Sequence, residues 1–182
     1  QFERANTWYS SYGKSNEQVQ ILIYLGRSYA NDGDYDKAMS IYTNALEIGE
    51  KNKLYNLVGY TYSYIGDLYR EKAMRTEAIK KYEMAADNFK KENNIDSYTC
   101  ALRDMGREYA SIDSLSHAIE ILSTADSLTA NSKDIDVKAA IDNALGNIYV
   151  MQNKYDEAKK FFYKALEGRE KMPNYMALID LY

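Results

Sequence analysis

Four short stretches with one pattern decide the fold: YLGRSY at residues 24–29, YIGDLY at 64–69, DMGREY at 104–109 and ALGNIY at 144–149. Each begins 40 residues after the one before it, and each has a glycine third and a tyrosine last. Four of the nine glycines of the chain therefore recur with one period. A fixed period of this size predicts stacked copies of one structural unit.

The periodicity continues downstream of each glycine. An alanine follows 12 residues later, a large apolar residue four further on, and a second alanine three further again. These positions are Ala38, Ala78, Ala118 and Ala158, then Tyr42, Tyr82, Leu122 and Phe162, then Ala45, Ala85, Ala125 and Ala165. Because glycine inside a helix costs about 1 kcal/mol relative to alanine, we expect the repeated glycines where two helices approach closely.

The pattern L-G-x2-Y followed by A-x3-F resembles that of the tetratricopeptide repeat family. The resemblance covers nearly the whole chain and implies an all-α fold, a right-handed α-solenoid of antiparallel helix pairs. The usual repeat has about 34 residues, so the period of 40 is similar to a longer-repeat branch of the family. We expect the six extra residues between the second helix of one repeat and the first helix of the next, with both helices longer by part of a turn. The structural positions are Gly26, Tyr29, Ala38, Gly66, Tyr69, Ala78, Gly106, Tyr109, Ala118, Gly146, Tyr149 and Ala158.

The repeats predict one domain over residues 1–182. We expect the end of an upstream repeat at 1–13, full repeats at 14–52, 53–93, 94–132 and 133–172, and the start of a further or capping helix at 173–182. The predicted first helices are 16–31, 54–72, 95–111 and 134–152, and the predicted second helices are 35–51, 76–92, 115–130 and 155–171. Because the first residue is Gln1 and not Met, we interpret the chain as part of a longer protein.

Composition argues against several classes of function. The net charge of −4 argues against nucleic acid binding, which calls for a basic face. No apolar run approaches the roughly 18 residues of a membrane span. With only Cys100 and His117, the chain cannot build a zinc site of about four such ligands. No nucleophile-elbow, zinc-protease, phosphate-loop or CxxC motif occurs, so we expect neither a cofactor nor an enzyme.

The tyrosines Tyr55, Tyr60, Tyr62 and Tyr64 are denser than the repeat requires. We expect Tyr62 and Tyr64 to fill gaps between the helices. Tyr60 falls on the face that lines the groove in the family, and packing and ligand binding stay open for it. Exposed tyrosines are good binding anchors because they combine a large apolar ring with a polar tip.

The resemblance implies that the ligand surface is the concave face, which first helices line. Arginines there could form a basic stripe for a carboxylate or phosphate, and asparagine amides could hold a peptide backbone. The alternative is an ordinary solvated face on which Asp67 and Glu71 neutralise nearby arginines. The candidate residues are Gln20, Ile23, Arg27, Asn31, Tyr60, Ser63, Asp67, Arg70, Arg103, Arg107, Asn143 and Asn147, with Cys100 and Met151 beside them.

We therefore predict a scaffold module that binds a protein or peptide segment. The lysine and asparagine clamp with which some members bind chaperones is absent, because its slots hold Ile23, Arg27, Ser63 and Asp67. Two alternatives stay open: a sensory or regulatory segment of a larger bacterial signalling or transcription-regulating protein, and a structural spacer that self-associates through open repeat ends. A cytoplasmic location is favoured, with a periplasmic segment of a membrane regulator as the alternative.

Overall fold

A computed structural model describes residues 15–129 and 134–170, so the elements predicted at 1–13 and 173–182 lie outside the described residues. The described residues contain helices and turns only. The helices are α1 (Ser15–Asn31), α2 (Tyr35–Lys51), α3 (Tyr55–Glu71), α4 (Arg75–Lys91), α5 (Ile95–Ser111), α6 (Leu115–Thr129), α7 (Ile135–Met151) and α8 (Tyr155–Glu170). Each predicted helix end lies within one residue of the observed end, and the predicted all-α class is confirmed.

The 40-residue period has a simple structural origin. Six of the eight helices span 17 residues each, and the turns between them are three residues long wherever both flanking helices and the turn are described. Two such helices and two such turns account for the period. The described connections between repeats are as short as those within them, so the residues added relative to the usual repeat lie in the lengthened helices and not in a longer connection.

The turns share one geometry. The middle residue of each described three-residue turn has a positive φ, for example 81° at Gly33, 57° at Ala73 and 59° at Asn153. The backbone N–H of the next residue donates to a carbonyl five residues back, as from Asp34 to Tyr29 and from Met74 to Tyr69, both at 2.9 Å. This Schellman arrangement satisfies carbonyls that the helix end leaves without partners.

The repeated glycines lie where the helices of a pair touch. A Cβ atom added to Gly66 would be 2.6 Å from the ring of Tyr82, and one added to Gly106 would be 2.7 Å from the side chain of Leu122. Gly26 and Gly146 have the same relation to Tyr42 and Phe162. The large residue of the second helix thus occupies the space that a side chain on the first helix would need, which confirms the predicted close approach.

The helices form two compact units, divided between Asn94 and Ile95. In the first unit, the hairpins α1/α2 and α3/α4 pack through α2 against α3 and α1 against α3. The second unit has the same arrangement, with the hairpins α5/α6 and α7/α8 joined by α6 against α7 and α5 against α7. The extent of the predicted single domain and the handedness of the predicted solenoid stay predictions.

Large buried side chains fill each unit. Tyr42, Tyr82 and Phe89 are at most 1% exposed in the first unit, and Leu122 and Ile141 are fully buried in the second. Within the described ranges, no helix is long and apolar enough to cross a membrane.

Candidate binding surface on the first helices

In the first unit, the first helices α1 and α3 contact each other and leave two hollows on their shared surface. One hollow, of about 380 Å³, is lined by Arg27, Ala30, Asn31, Tyr35, Tyr42, Tyr64, Asp67, Leu68, Arg70 and Glu71. The other, of about 300 Å³, is lined by Gln20, Ile23, Tyr24, Arg27, Leu57, Tyr60 and Tyr64. Because Arg27 and Tyr64 line both hollows, we treat these residues together as the α1/α3 groove.

The groove contains most of the residues that the sequence singles out on these two helices. Gln20, Ile23, Arg27, Asn31, Tyr60, Asp67 and Arg70 all line it. Ser63 does not line either hollow. The helical spacing of three and four residues explains this convergence, since it places side chains on one face.

Arg27 lies on a stack of aromatic rings. Its guanidinium carbon is 5.1 Å from the centre of the Tyr64 ring, and the ring of Tyr64 stacks on that of Tyr42 with centres 6.0 Å apart. Arg27 is exposed and forms no ion pair with a carboxylate within residues 15–129 and 134–170. Attraction between the cation and the ring face orients the guanidinium and leaves its N–H donors accessible.

The tyrosines of this stack remain neutral at physiological pH. Burial is the largest cause that raises the pKa of both phenols, Tyr42 and Tyr64. The carboxylate of Asp67 raises these pKa values further, whereas Arg27 acts in the opposite direction. The stack therefore offers hydroxyl groups and ring faces, and no phenolate that would neutralise Arg27.

Arg70 has a different environment from that of Arg27. It forms ion pairs with Asp67 at 3.0 Å and with Glu71 at 3.6 Å, and it donates to the Tyr82 hydroxyl at 3.3 Å. The Tyr82 hydroxyl in turn donates to Asp67 at 2.8 Å. The charge of Arg70 is therefore neutralised by Asp67 and Glu71, as in the alternative of an ordinary solvated face.

The tyrosines of α3 differ in burial according to the helix face on which they lie. Tyr60 is 38% exposed and its ring meets that of Phe89 edge to face, with centres 4.9 Å apart. Tyr62 is buried, and its hydroxyl donates to Glu50 at 2.7 Å. Burial, aided by this bond to Glu50, raises the pKa of Tyr62 to about 12. Tyr62 fills space between helices, whereas Tyr60 and Tyr64 each pack against another ring and also line the groove.

The groove also contains residues outside the predicted set, among them Tyr24, which is 54% exposed. Tyr24 lies four residues after Gln20 and three before Arg27, so helical spacing could have placed it on this face. Leu57, three residues before Tyr60, could have been found in the same way. Tyr35 and Tyr42 come from the second helix α2, and first-helix spacing could not reveal them.

The candidate residues of the second unit lie on α5 and α7. Arg103 donates through Nε and Nη2 to the Asp104 carboxylate, at 2.9 to 3.1 Å. Arg107 is exposed and has no ion pair in the described parts of the chain. Asn147 and Met151 are exposed, and Asn143 is half-buried. The basic stripe through Arg27, Arg70, Arg103 and Arg107 spans both units and stays a prediction.

Cys100 on α5 and His117 on α6 are the single cysteine and the single histidine of the chain. His117 stacks on Tyr109 with ring centres 5.7 Å apart, and its Nδ1 lies 3.0 Å from the Ser114 hydroxyl. Burial raises the pKa of the half-buried Cys100 thiol, which disfavours the nucleophilic thiolate. Among the residues that the structure describes, no three His, Cys, Asp or Glu side chains are grouped so that they could hold a metal ion.

Comparison with known sequences points to one family. Two family models, both described as tetratricopeptide repeat, match residues 17–91 and 142–172, which together are more than half of the chain. Photosystem I assembly protein Ycf3 of Acaryochloris marina is 33% identical over 81 residues, which are 43% of this chain and 48% of that protein. The corresponding protein of Rippkaea orientalis is 29% identical over 76 residues. The chain thus spans about half the length of the curated relatives it matches.

Solved structures show the same fold. BtubC (BKLC) from P. vanneervenii superposes with a TM-score of 0.76 at 20% identity, over 88% of this chain and 66% of that one. A signal transduction ATPase with numerous domains and a tetratricopeptide repeat sensor, from Pyrococcus horikoshii, gives a TM-score of 0.77 at 19% identity. That match covers 98% of this chain and 28% of the other. At these identities, the likeness establishes the fold class alone.

Proposed function

Because this chain belongs to the tetratricopeptide repeat family, we propose that it is a protein-interaction scaffold whose α1/α3 groove binds a peptide segment of another protein. Proteins of this family generally act as non-catalytic scaffolds for proteins or peptides, and their stacked repeats provide extended binding surfaces. The observation that carries the proposal is Arg27, an exposed cation that lies on an aromatic stack between two hollows. We propose no catalytic role for the chain.

The chemistry of the groove suits a peptide with an acidic group. Arg27 can donate two parallel N–H bonds to a carboxylate or phosphate, and its contact with Tyr64 already restricts the side chain. Asn31, which lines the larger hollow together with Arg27, offers both a donor and an acceptor to a peptide backbone. These groups would fix the orientation of a bound segment.

The other hollow supports a second contact, to an apolar side chain of the same peptide. Ile23, Leu57 and the rings of Tyr24 and Tyr60 line it. Tyrosines at such positions lose little conformational freedom on binding and bury large areas, which is why they are common anchors. An acidic residue and an apolar residue close together in sequence therefore define the expected ligand.

A displayed peptide library selected on this chain tests the proposal. We expect enriched peptides with an acidic residue beside an apolar or aromatic one. Arg27→Glu should weaken their binding at least tenfold, because a charge-assisted hydrogen bond contributes about 1.5–3 kcal/mol and the new carboxylate repels the ligand. Fluorescence anisotropy of a labelled selected peptide measures the change.

Lys80→Glu is the matched control, since Lys80 is exposed on the second helix α4 and does not line the groove. It makes the same change in net charge and should leave the affinity unchanged. If Arg27→Glu and Lys80→Glu lowered the peptide affinity equally, the net charge of the chain, and not a contact with Arg27, would explain the loss. Binding that survives Arg27→Glu would place the ligand site elsewhere.

A second candidate function is a sensory segment of a larger signalling protein. It is supported by the structural likeness to a signal transduction ATPase whose tetratricopeptide repeats are described as a sensor. The partial similarity to a photosystem assembly protein supports the scaffold role instead. A catalytic domain in the same gene, with an activity that a groove peptide changes, would favour the sensory role. An unchanged activity would count against it.

A further inference from the structure

One core position of the second unit holds a carboxylate where every other repeat has a large apolar or aromatic side chain. Asp142 follows Leu22, Tyr62 and Leu102 at the 40-residue period. All four residues are buried, and Asp142 is only 1% exposed. The repeat therefore places an ionisable group in a slot that the fold otherwise fills with a core side chain.

The surroundings of Asp142 do not satisfy its carboxyl group. Its Oδ1 atom is buried and has no hydrogen-bond partner among the residues that the structure describes. In the first unit, the equivalent Tyr62 places its hydroxyl on Glu50 at 2.7 Å. An ionised carboxylate oxygen that is buried without a hydrogen bond to the protein is costly.

Charged groups from the helices around Asp142 act on it with both signs. Asp126 of α6 opposes ionisation, whereas Lys164 of α8 and Lys138 of α7 favour it. Among the described residues of α5, which also contacts α7, no charged group is a cause of the shift. Burial is the largest cause, and together with Asp126 it raises the pKa of Asp142 from 3.8 to about 6.

We propose that Asp142 makes the packing of α7 against α6 and α8 responsive to pH, because the carboxylate loosens this contact and uptake of one proton tightens it. Protonation removes the unpaired charge and turns one carboxyl oxygen into a donor. The first unit has no such device at this position, since Leu22 and Tyr62 occupy it there.

The sign of the effect follows from the direction of the pKa change. A carboxyl group whose pKa is raised by folding stabilises the folded state most below its unfolded value of 3.8. This contribution is lost as the pH rises through about 6. Between pH 8 and pH 5, the local opening constant of α6 to α8 should fall about tenfold.

Hydrogen exchange of the full chain, measured by mass spectrometry at pH 5 and pH 8 and corrected for the intrinsic exchange rate, tests this proposal. In peptides from α6, α7 and α8, we expect protection to increase about tenfold from pH 8 to pH 5. Peptides from α2 to α4 serve as the internal reference and should show no such increase. Asp142→Asn and Asp142→Leu should remove this difference. The leucine follows the residue type found at 22 and 102 and keeps the test valid if the amide variant folds poorly.

A direct titration distinguishes a working device from a buried but inert group. The ¹³C resonance of the Asp142 carboxyl should titrate near pH 6, and Asp126→Asn should move its midpoint towards lower pH. A midpoint near 4 would overturn the proposal. So would a pH-dependent protection of α7 that persists in both Asp142 variants.

Discussion

The two units share one backbone template and fill its slots differently. Where the first unit has Tyr42 and Tyr82, the second has Leu122 and Phe162 at the same positions of the period. Where the first has Ser28 and Leu68, the second has Glu108 and Ile148, and Glu108 is only 3% exposed. The hydroxyl of Tyr82 connects α4 to α3 through Asp67, and no such bond can form from the leucine.

The difference separates what the repeat conserves from what it leaves free. Small residues and turn geometry recur in both units and set the backbone. The buried polar atoms differ between the units. The hydroxyls of Tyr62 and Tyr82 in the first unit are hydrogen-bonded, whereas one carboxyl oxygen of Asp142 in the second has no partner among the described residues. Mutations that exchange these features between the units can test which of them matter for stability.

The largest effect is expected at the helix glycine Gly66. Gly66→Ala should lower the free energy of unfolding by about 1–2 kcal/mol, because overpacking costs about 1–3 kcal/mol and alanine returns up to about 1 as a better helix former. The ring of Tyr82 cannot move aside without breaking its bonds to Asp67 and Arg70. Urea unfolding followed by circular dichroism measures the change.

Gly106→Ala is the matched control in the second unit. Its new Cβ would lie 2.7 Å from Cγ of the fully buried Leu122, but this side chain has no hydrogen bond to lose, so a smaller loss than at Gly66 is expected. If the two alanine variants were equally destabilised, the fixed ring of Tyr82 would not be the reason.

The sequence predicted these close contacts because glycine, alanine and large apolar residues recur at one period. Helix ends were predictable for the same reason, since each short turn has a fixed place in the period. The left-handed turn residues were harder to recognise. Ala73 has a φ of 57° although alanine carries no signal for this conformation.

The candidate site was predicted only in part. The family resemblance placed Arg27 and Arg70 on the face lined by first helices, but it could not show that Asp67 and Glu71 bind Arg70, whereas Arg27 has no ion pair among the described residues. Arg103 likewise turns to its sequence neighbour Asp104, a choice that depends on side-chain rotamers. Asp142 could have been found by comparing the core slot of Leu22 across all four repeats.

A smaller effect is expected for Tyr82→Phe, which makes the first unit resemble the second. The ring that fills the space beside Gly66 remains, so only the hydroxyl bonds to Asp67 and Arg70 are lost. We expect a loss of about 1 kcal/mol in unfolding free energy, because two hydrogen bonds to charged groups are lost while Asp67 and Arg70 keep their own ion pair. In the Asp67→Asn background the loss should shrink. An undiminished loss there would assign the effect to packing.

The smallest effect is expected at the turns, where the units again differ. The residues at the middle of the turn within each repeat are Gly33 and Ala73 in the first unit and Asp113 and Asn153 in the second, and all have a positive φ. Asparagine and aspartate tolerate this conformation better than alanine. Ala73→Gly should therefore raise the unfolding free energy by about 0.5–1 kcal/mol, and Asn153→Gly should raise it less.

The reverse substitution makes this last prediction specific. Gly33→Ala should lower the unfolding free energy by a similar amount, and backbone strain would be the only cause, because no atom lies within 4 Å of a Cβ added there. A chain carrying both Gly33→Ala and Ala73→Gly should then have nearly the stability of the unchanged protein. If Gly33→Ala left the unfolding free energy unchanged, alanine would not be strained at the φ of 81° that Gly33 has, and the prediction for Ala73→Gly would lose its basis.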